Sequence, residues 1–155
     1  MESSNQSSDK SKVAPPIEKE TRFAVVMYGG VSLAIYIYGV AKELYGMVRA
    51  TARTEKETEY LLAWDELTDT ERVYRKLGVL LKTKFVVDIL SGTSAGGINA
   101  IYLAKALANG QSIDGLKDIW LDQGDMSLLI NDKKSEMGLG GLKIKNTPSS
   151  LLNSQ

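Results

Sequence analysis

Phe85-Val86-Val87-Asp88-Ile89-Leu90 runs directly into Ser91-Gly92-Thr93-Ser94-Ala95-Gly96-Gly97. The first part, dense in β-branched and aromatic side chains, predicts a buried strand. The second predicts a Gly-rich turn, and Ile98 to Ala108 predicts a helix that Asn109-Gly110 ends. A strand entering a helix through Gly92-Thr93-Ser94-Ala95-Gly96 fits G-x-S-x-G, in which a sharp turn lifts a Ser hydroxyl above the sheet edge. The flanking Gly residues let strand and helix approach, and the helix N-terminus turns unpaired N–H groups toward a developing oxyanion. In a chain with 14 Gly the bare pattern is weak; the strand before it and the helix behind it make it specific. Ser94 is therefore the candidate nucleophile. Phosphate binding at the same turn is the weaker reading. Gly92 and Gly97 have the P-loop separation, but Ile98 and Asn99 stand where that loop needs a Lys and a hydroxyl.

Upstream, Phe23-Ala24-Val25-Val26-Met27-Tyr28 predicts another apolar strand, closed by Gly29-Gly30. Val31, Ala34, Ile35, Tyr38, Ala41 and Leu44 then recur at helical spacing. Phe23 to Ala41 carries no charge, and its length alone would suit a membrane span. Paired Gly beside Ser32, with Tyr28, Tyr36 and Tyr38, make a poor hydrocarbon segment, so strand, turn and buried helix are expected instead. Two Gly-rich strand–helix turns on adjacent parallel strands would share the carboxyl edge of the sheet, where α/β proteins place their sites. Backbone N–H groups at Gly29-Gly30 can then join that of Ala95 around an oxyanion.

The remaining chain is less directive. Residues 1–20, with Pro15-Pro16 and few large apolar side chains, predict a flexible tail. Between Arg49 and Lys84 interspersed charges surround Leu61, Leu62, Trp64 and Leu67, then Val73, Leu77, Leu80 and Leu81, which fit one or two amphipathic helices. Ile113 to Leu121 predicts a further helix, Met126 to Ile130 is a short apolar patch, and the chain from Asn131 is polar and Gly-rich. Two strands, each followed by a helix, indicate a layered α/β sheet, and two are too few to complete one.

Composition excludes whole classes of chemistry. The 155 residues contain no Cys and no His, which removes disulfides, thiolate zinc sites, a Ser-His-Asp triad and an H-E-x-x-H site. Any nucleophile here must use a carboxylate or Lys base, or a group from outside this stretch. Nineteen basic and nineteen acidic residues give a formal charge of zero, so nucleic acid is not an expected partner. There is no cluster of metal ligands in the sequence, and no cofactor is expected.

Gly92-Thr93-Ser94-Ala95-Gly96-Gly97, following an apolar strand and an upstream Gly-rich turn, resembles the patatin-like phospholipase family. Phe23 to Tyr36 resembles a bacterial patatin-related branch more narrowly, and the likeness runs from Arg22 to about Leu129. The resemblance implies a three-layer α/β/α fold around a parallel-rich sheet, with 21–155 forming its incomplete N-terminal part. It implies a lipid acyl hydrolase with a Ser-Asp dyad, acting on a lipid or long-chain ester without metal or cofactor. Ser94 would be the nucleophile, and Gly29, Gly30, Val31 and Ala95 the oxyanion donors. Such a protein would be cytoplasmic, and the resemblance allows peripheral contact with a membrane.

Two departures stand out. The family loop G-G-G-x-[RK]-G is here Tyr28-Gly29-Gly30-Val31-Ser32-Leu33, with two Gly and no cation. The dyad Asp belongs to a downstream D-G-[GA] motif, whereas Asp114-Gly115 is followed by Leu116 and lies at a predicted helix start, where Asp is a common cap. Asp88, on a buried or edge face of the strand before the turn, is no better placed. The base is expected beyond Gln155. The alternative is a non-catalytic lipid- or protein-binding module, a degenerate or truncated relative.

Overall fold

Thr21, Phe23, Val25 and Met27 alternate in burial with Glu20, Arg22, Ala24 and Val26, the period of a strand with one covered face. In the computed structural model, which describes residues 12–123, this stretch is β1 (Lys19–Met27), paired in parallel with β2 (Thr83–Gly92). A 3-10 turn (Val31–Leu33), α1 (Ala34–Thr51) and α2 (Asp69–Leu80) connect them, and α3 (Ala95–Asn109) and α4 (Gly115–Gln123) follow β2. Met27 stands opposite Gly92, so both strands end level and deliver their turns to the same edge.

The register shifts between Phe23 and Ala24, where β2 carries Asp88 as an extra residue. That bulge exchanges the faces of β2: Phe85 lies opposite Thr21 on one side of it, and Leu90 opposite Val25 on the other. Met27 joins Tyr38, Ala41 and Tyr45 of α1 and Ala100, Leu103 and Ala106 of α3 in the core, which Ile113, just before α4, and Leu116, in its first turn, complete. Val25 and Leu90 pack against that cluster, so α1 and α3 cover one face of the sheet. On the other face Val26 and Ile89 are exposed at 60% and 61%. Parallel strands are normally covered on both faces. The described residues thus give a mixed α/β unit with a two-stranded parallel sheet and helices on one side. The second helical layer of the expected three-layer fold is not among them.

Three expectations are corrected. The chain is held from Lys12 onward rather than running free to Glu20: Val13 bridges Glu59, the Ala14 N–H donates to Thr58 O at 2.9 Å, and β1 already begins at Lys19. Residues 1–11 lie outside the described range, as do the Met126–Ile130 patch and the polar stretch after it. The segment with Leu61, Leu62, Trp64 and Leu67 forms turns and bridges rather than a helix, with Leu67 buried and Leu61 exposed. Lastly, α2 turns its expected apolar stripe outward. Val73, Leu77 and Leu80 are exposed, while Glu71, Arg75 and Gly78 face the body.

Specific contacts fix that orientation. Thr68 Oγ1 accepts from the Glu71 N–H at 3.3 Å and Glu71 Oε2 from the Thr68 N–H at 2.8 Å, a reciprocal cap that directs Glu71 inward. Gly78 lets α2 lie close: a Cβ there would stand 2.7 Å from Thr51 Cγ2 and 3.1 Å from Thr83 O. Gly78→Ala should therefore destabilise the protein by about 1–3 kcal/mol, read as a lowered urea midpoint.

Candidate functional site

Ser94 is the residue between β2 and α3, and its backbone has φ 50° and ψ −127°. A non-Gly residue in that region costs on the order of 1–3 kcal/mol and persists only where its surroundings over-determine it. Here three glycines do so. A Cβ at Gly92 would lie 2.5 Å from Gly96 O, one at Gly96 2.2 Å from Met27 O, and one at Gly29 2.5 Å from Thr93 O. The end of β1, the end of β2 and the start of α3 thus meet in a space that admits no side chain. Thr93 N–H donates to Met27 O at 3.2 Å, and the Ser94 residue stays exposed. This is the strained strand–turn–helix geometry that projects a hydroxyl from a sheet edge.

The two Gly-rich turns are in contact. A Cβ at Gly29 would stand 2.8 Å from Ser94 Cβ, and the Gly29 N–H donates to Thr93 Oγ1 at 3.1 Å. That bond changes the expected donor set, because the Gly29 N–H is already engaged with a neighbour of Ser94. Gly30 and Val31 follow it in the same turn, and Gly30 adopts φ 145°, open to glycine and strained for other residues. The Ala95 N–H, at the first helical position, has no acceptor within its own helix. Gly96 N–H is held by Thr93 O at 2.9 Å.

Sequence reasoning missed Asn99. It is fully buried on α3, one turn beyond Ala95, and its Nδ2 donates to Ala95 O at 2.9 Å and to Ala34 O at 3.4 Å. The amide therefore ties the first turn of α3 to the first residue of α1, fixing one Gly-rich turn against the other. The signal was present as a lone amide on the stripe Ala95, Asn99, Leu103, Ala106.

No carboxylate among the described residues hydrogen-bonds Ser94. Asp88 sits on the uncovered face, where both of its oxygens accept from Arg22 Nη1 at 2.9 and 2.8 Å. Roughly 13 Å of strand separates it from Gly92. Asp114 precedes α4, but its side chain does not cap that helix. It accepts from Lys42 Nζ at 2.6 Å, Tyr38 OH at 3.1 Å and Ser112 Oγ at 2.8 Å. The Lys42 ammonium, then the Ser112 and Tyr38 hydroxyls, hold the Asp114 carboxyl below its usual range. A carboxyl depressed by folding contributes stability above its unfolded pKa and loses it as pH falls through the folded one. With the Asp114 side chain 62% exposed, that contribution is at most about 1 kcal/mol. Asp114→Asn and Asp88→Asn should leave the reactivity of Ser94 toward a fluorophosphonate unchanged, read as labelling rate. Asp114→Asn should lower the urea midpoint slightly at neutral pH, a deficit that vanishes in acid.

Among the described residues no group of acidic side chains is arranged to hold a metal ion, and no helix is long and apolar enough to cross a membrane. No family model matches the chain, and no solved structure matches it. The chain is similar to an uncharacterized membrane protein of Mycobacterium tuberculosis, 38% identical over 133 residues. The match takes in 83% of this chain and 12% of the relative, so the chain spans about an eighth of that protein's length.

Proposed function

We propose that the chain carries the nucleophile side of a serine acyl hydrolase of patatin-like architecture, acting on lipid or long-chain esters. The observation that supports this most directly is Ser94 at φ 50°, between a parallel strand and a helix, with a second Gly-rich turn against it. In this reading Ser94 Oγ attacks the ester carbonyl. N–H groups of Ala95 and of the Gly30-Val31 turn bind the tetrahedral oxyanion, while Gly29 positions that turn through Thr93. An Asp from outside residues 12–123 accepts the Ser proton and returns it to the leaving alcohol, completing a His-free dyad. Peripheral contact with a membrane belongs to the same reading, since a lipid ester is met at a surface, and the name of the relative is in keeping with it.

A fluorophosphonate should label the intact protein at Ser94 and at no other Ser of residues 1–155, with the modified peptide mapped by mass spectrometry. Ser94→Ala should lose both the label and turnover of a medium-chain ester. Folded protein in which Ser94 never labels would instead favour the non-catalytic binding module.

A further inference from the structure

A cavity of about 440 Å³ lies at the opposite end of the sheet from Ser94, between the outer side of α2 and the chain entering β1. Tyr60, Trp64, Arg75, Lys76, Val79 and Leu80 supply its walls. The volume is in the range of small-ligand pockets. Its charge is one-sided: both ionisable groups with a formal charge in the lining are cations. Arg75 is 3% exposed. Its Nε donates to Ala50 O at 2.7 Å, its Nη1 to Leu62 O at 2.9 Å, and its guanidinium carbon stands 3.9 Å from the Tyr60 ring centre. Its Nη2 is buried without a partner, and among the described residues no carboxylate forms an ion pair with either Arg75 or Lys76. Burial pushes the Arg75 pKa down, with Arg53 adding to the effect and Tyr60, Glu71 and Glu66 opposing it without forming an ion pair. The Lys76 ammonium lies 5.8 Å from the Trp64 ring centre.

A buried cation whose carboxylates stand off without an ion pair is incompletely compensated, and an aliphatic wall left in water is costly too. A ligand with one negative charge and an alkyl chain relieves both. We propose that this cavity binds a long-chain carboxylate, its head toward Arg75 and Lys76 and its chain along Trp64, Val79 and Leu80. A monoanion fits better than a phosphate dianion, because the Lys76 ammonium is the one charged donor exposed in the lining, while Arg75, closed off at Nη2, contributes its charge. The site is independent of the Ser94 chemistry, since the ten residues of β2 place roughly 30 Å between the two ends of the sheet.

The test is photo-crosslinking of the intact protein with a diazirine-bearing palmitate below its micellar range, followed by peptide mapping, with affinities from calorimetry using oleate. Cross-links should fall on the Trp64 or Lys76–Leu80 peptides and be competed by oleate. Oleyl alcohol, without the charge, should bind about tenfold more weakly. Arg75 variants lose ties to Ala50 and Leu62 and can unfold, so exposed Lys76 and Leu80 carry the test. Lys76→Gln should weaken oleate several-fold and Leu80→Glu at least about tenfold, with circular dichroism unchanged. Ser94→Ala should bind oleate like the parent. Equal affinity for the alcohol, indifference to both cavity variants, cross-links confined to the Ser94 end, or a response to anionic phospholipid vesicles without one to monomeric oleate would each overturn the proposal.

Discussion

Gly96→Ala should leave Ser94 unreactive and much of the protein unfolded. The added methyl would stand 2.2 Å from Met27 O, 2.7 Å from Met27 C and 2.9 Å from Tyr28 O, all backbone atoms at the end of β1. No flexible side chain is there to move aside. Overpacking costs about 1–3 kcal/mol where side chains can adjust, and a backbone obstacle belongs at or above the top of that range. Gly92→Ala and Gly29→Ala meet backbone at 2.5 Å and should follow closely, and Gly29→Ala also presses on Ser94 Cβ. Gly97→Ala, at 3.2 Å from Gly92 O, should be mild. Gly39 in α1 is the control. Its Cβ would meet nothing within 4 Å, so Ala there should stabilise by about 0.5–1 kcal/mol. Urea unfolding and the labelling rate of Ser94 give two readouts. Where a variant still folds, misplaced N–H donors should slow labelling by about 10²-fold or more. Gly96→Ala that folds and labels like the parent would mean that this close packing does not hold the nucleophile.

The parts of the fold visible in the sequence are those written in local pattern. The apolar run from Phe23 became the C-terminal half of β1, with Tyr28 outside it, and that from Phe85 the centre of β2; Asn109-Gly110 ended α3 with Gly110 at φ 64°, and Ser94 lies at the strand–helix junction where its motif puts it. Ala34, Tyr38 and Ala41 are buried as their spacing predicts, though Ile35 is not. What stayed hidden depends on contacts remote in sequence. Periodicity identifies the apolar stripe of α2 but not the direction it faces, which the Glu71 cap, Gly78 and the buried Arg75 decide. The bulge at Asp88 arises from pairing with a strand more than sixty residues earlier. The pairing of Val13 with Glu59 likewise has no local signature. At the site, no reading of Gly29-Gly30 alone could show that the first N–H of that turn is bound by Thr93 Oγ1.

If the proposed Ser-Asp chemistry takes its Asp from outside residues 1–155, those residues expressed alone should turn over a short-chain ester about 10⁴-fold more slowly than the protein that supplies it, the usual scale for losing the base of a Ser hydrolase. The reason is geometric. Both carboxylates that the sequence offers near the motif are committed elsewhere, Asp88 to Arg22 on the uncovered face and Asp114 to Lys42 and Tyr38 beneath α4. Ser94 would keep its strained backbone and its helix N-terminus, so oxyanion stabilisation alone would remain, and residual turnover above that of water is expected. The uncovered sheet face adds a physical cost. Val26 and Ile89 stand in water on a parallel sheet, so residues 1–155 alone should associate or precipitate unless a further layer covers that face. Rates should therefore be compared at equal concentrations of monomer, with the far-ultraviolet circular dichroism of both forms in hand. If the folded piece matches the intact protein and loses activity in Ser94→Ala, the proton acceptor lies within residues 1–155. Asp88, Asp114 and the acidic residues after Gln123 would then be replaced one at a time to find it.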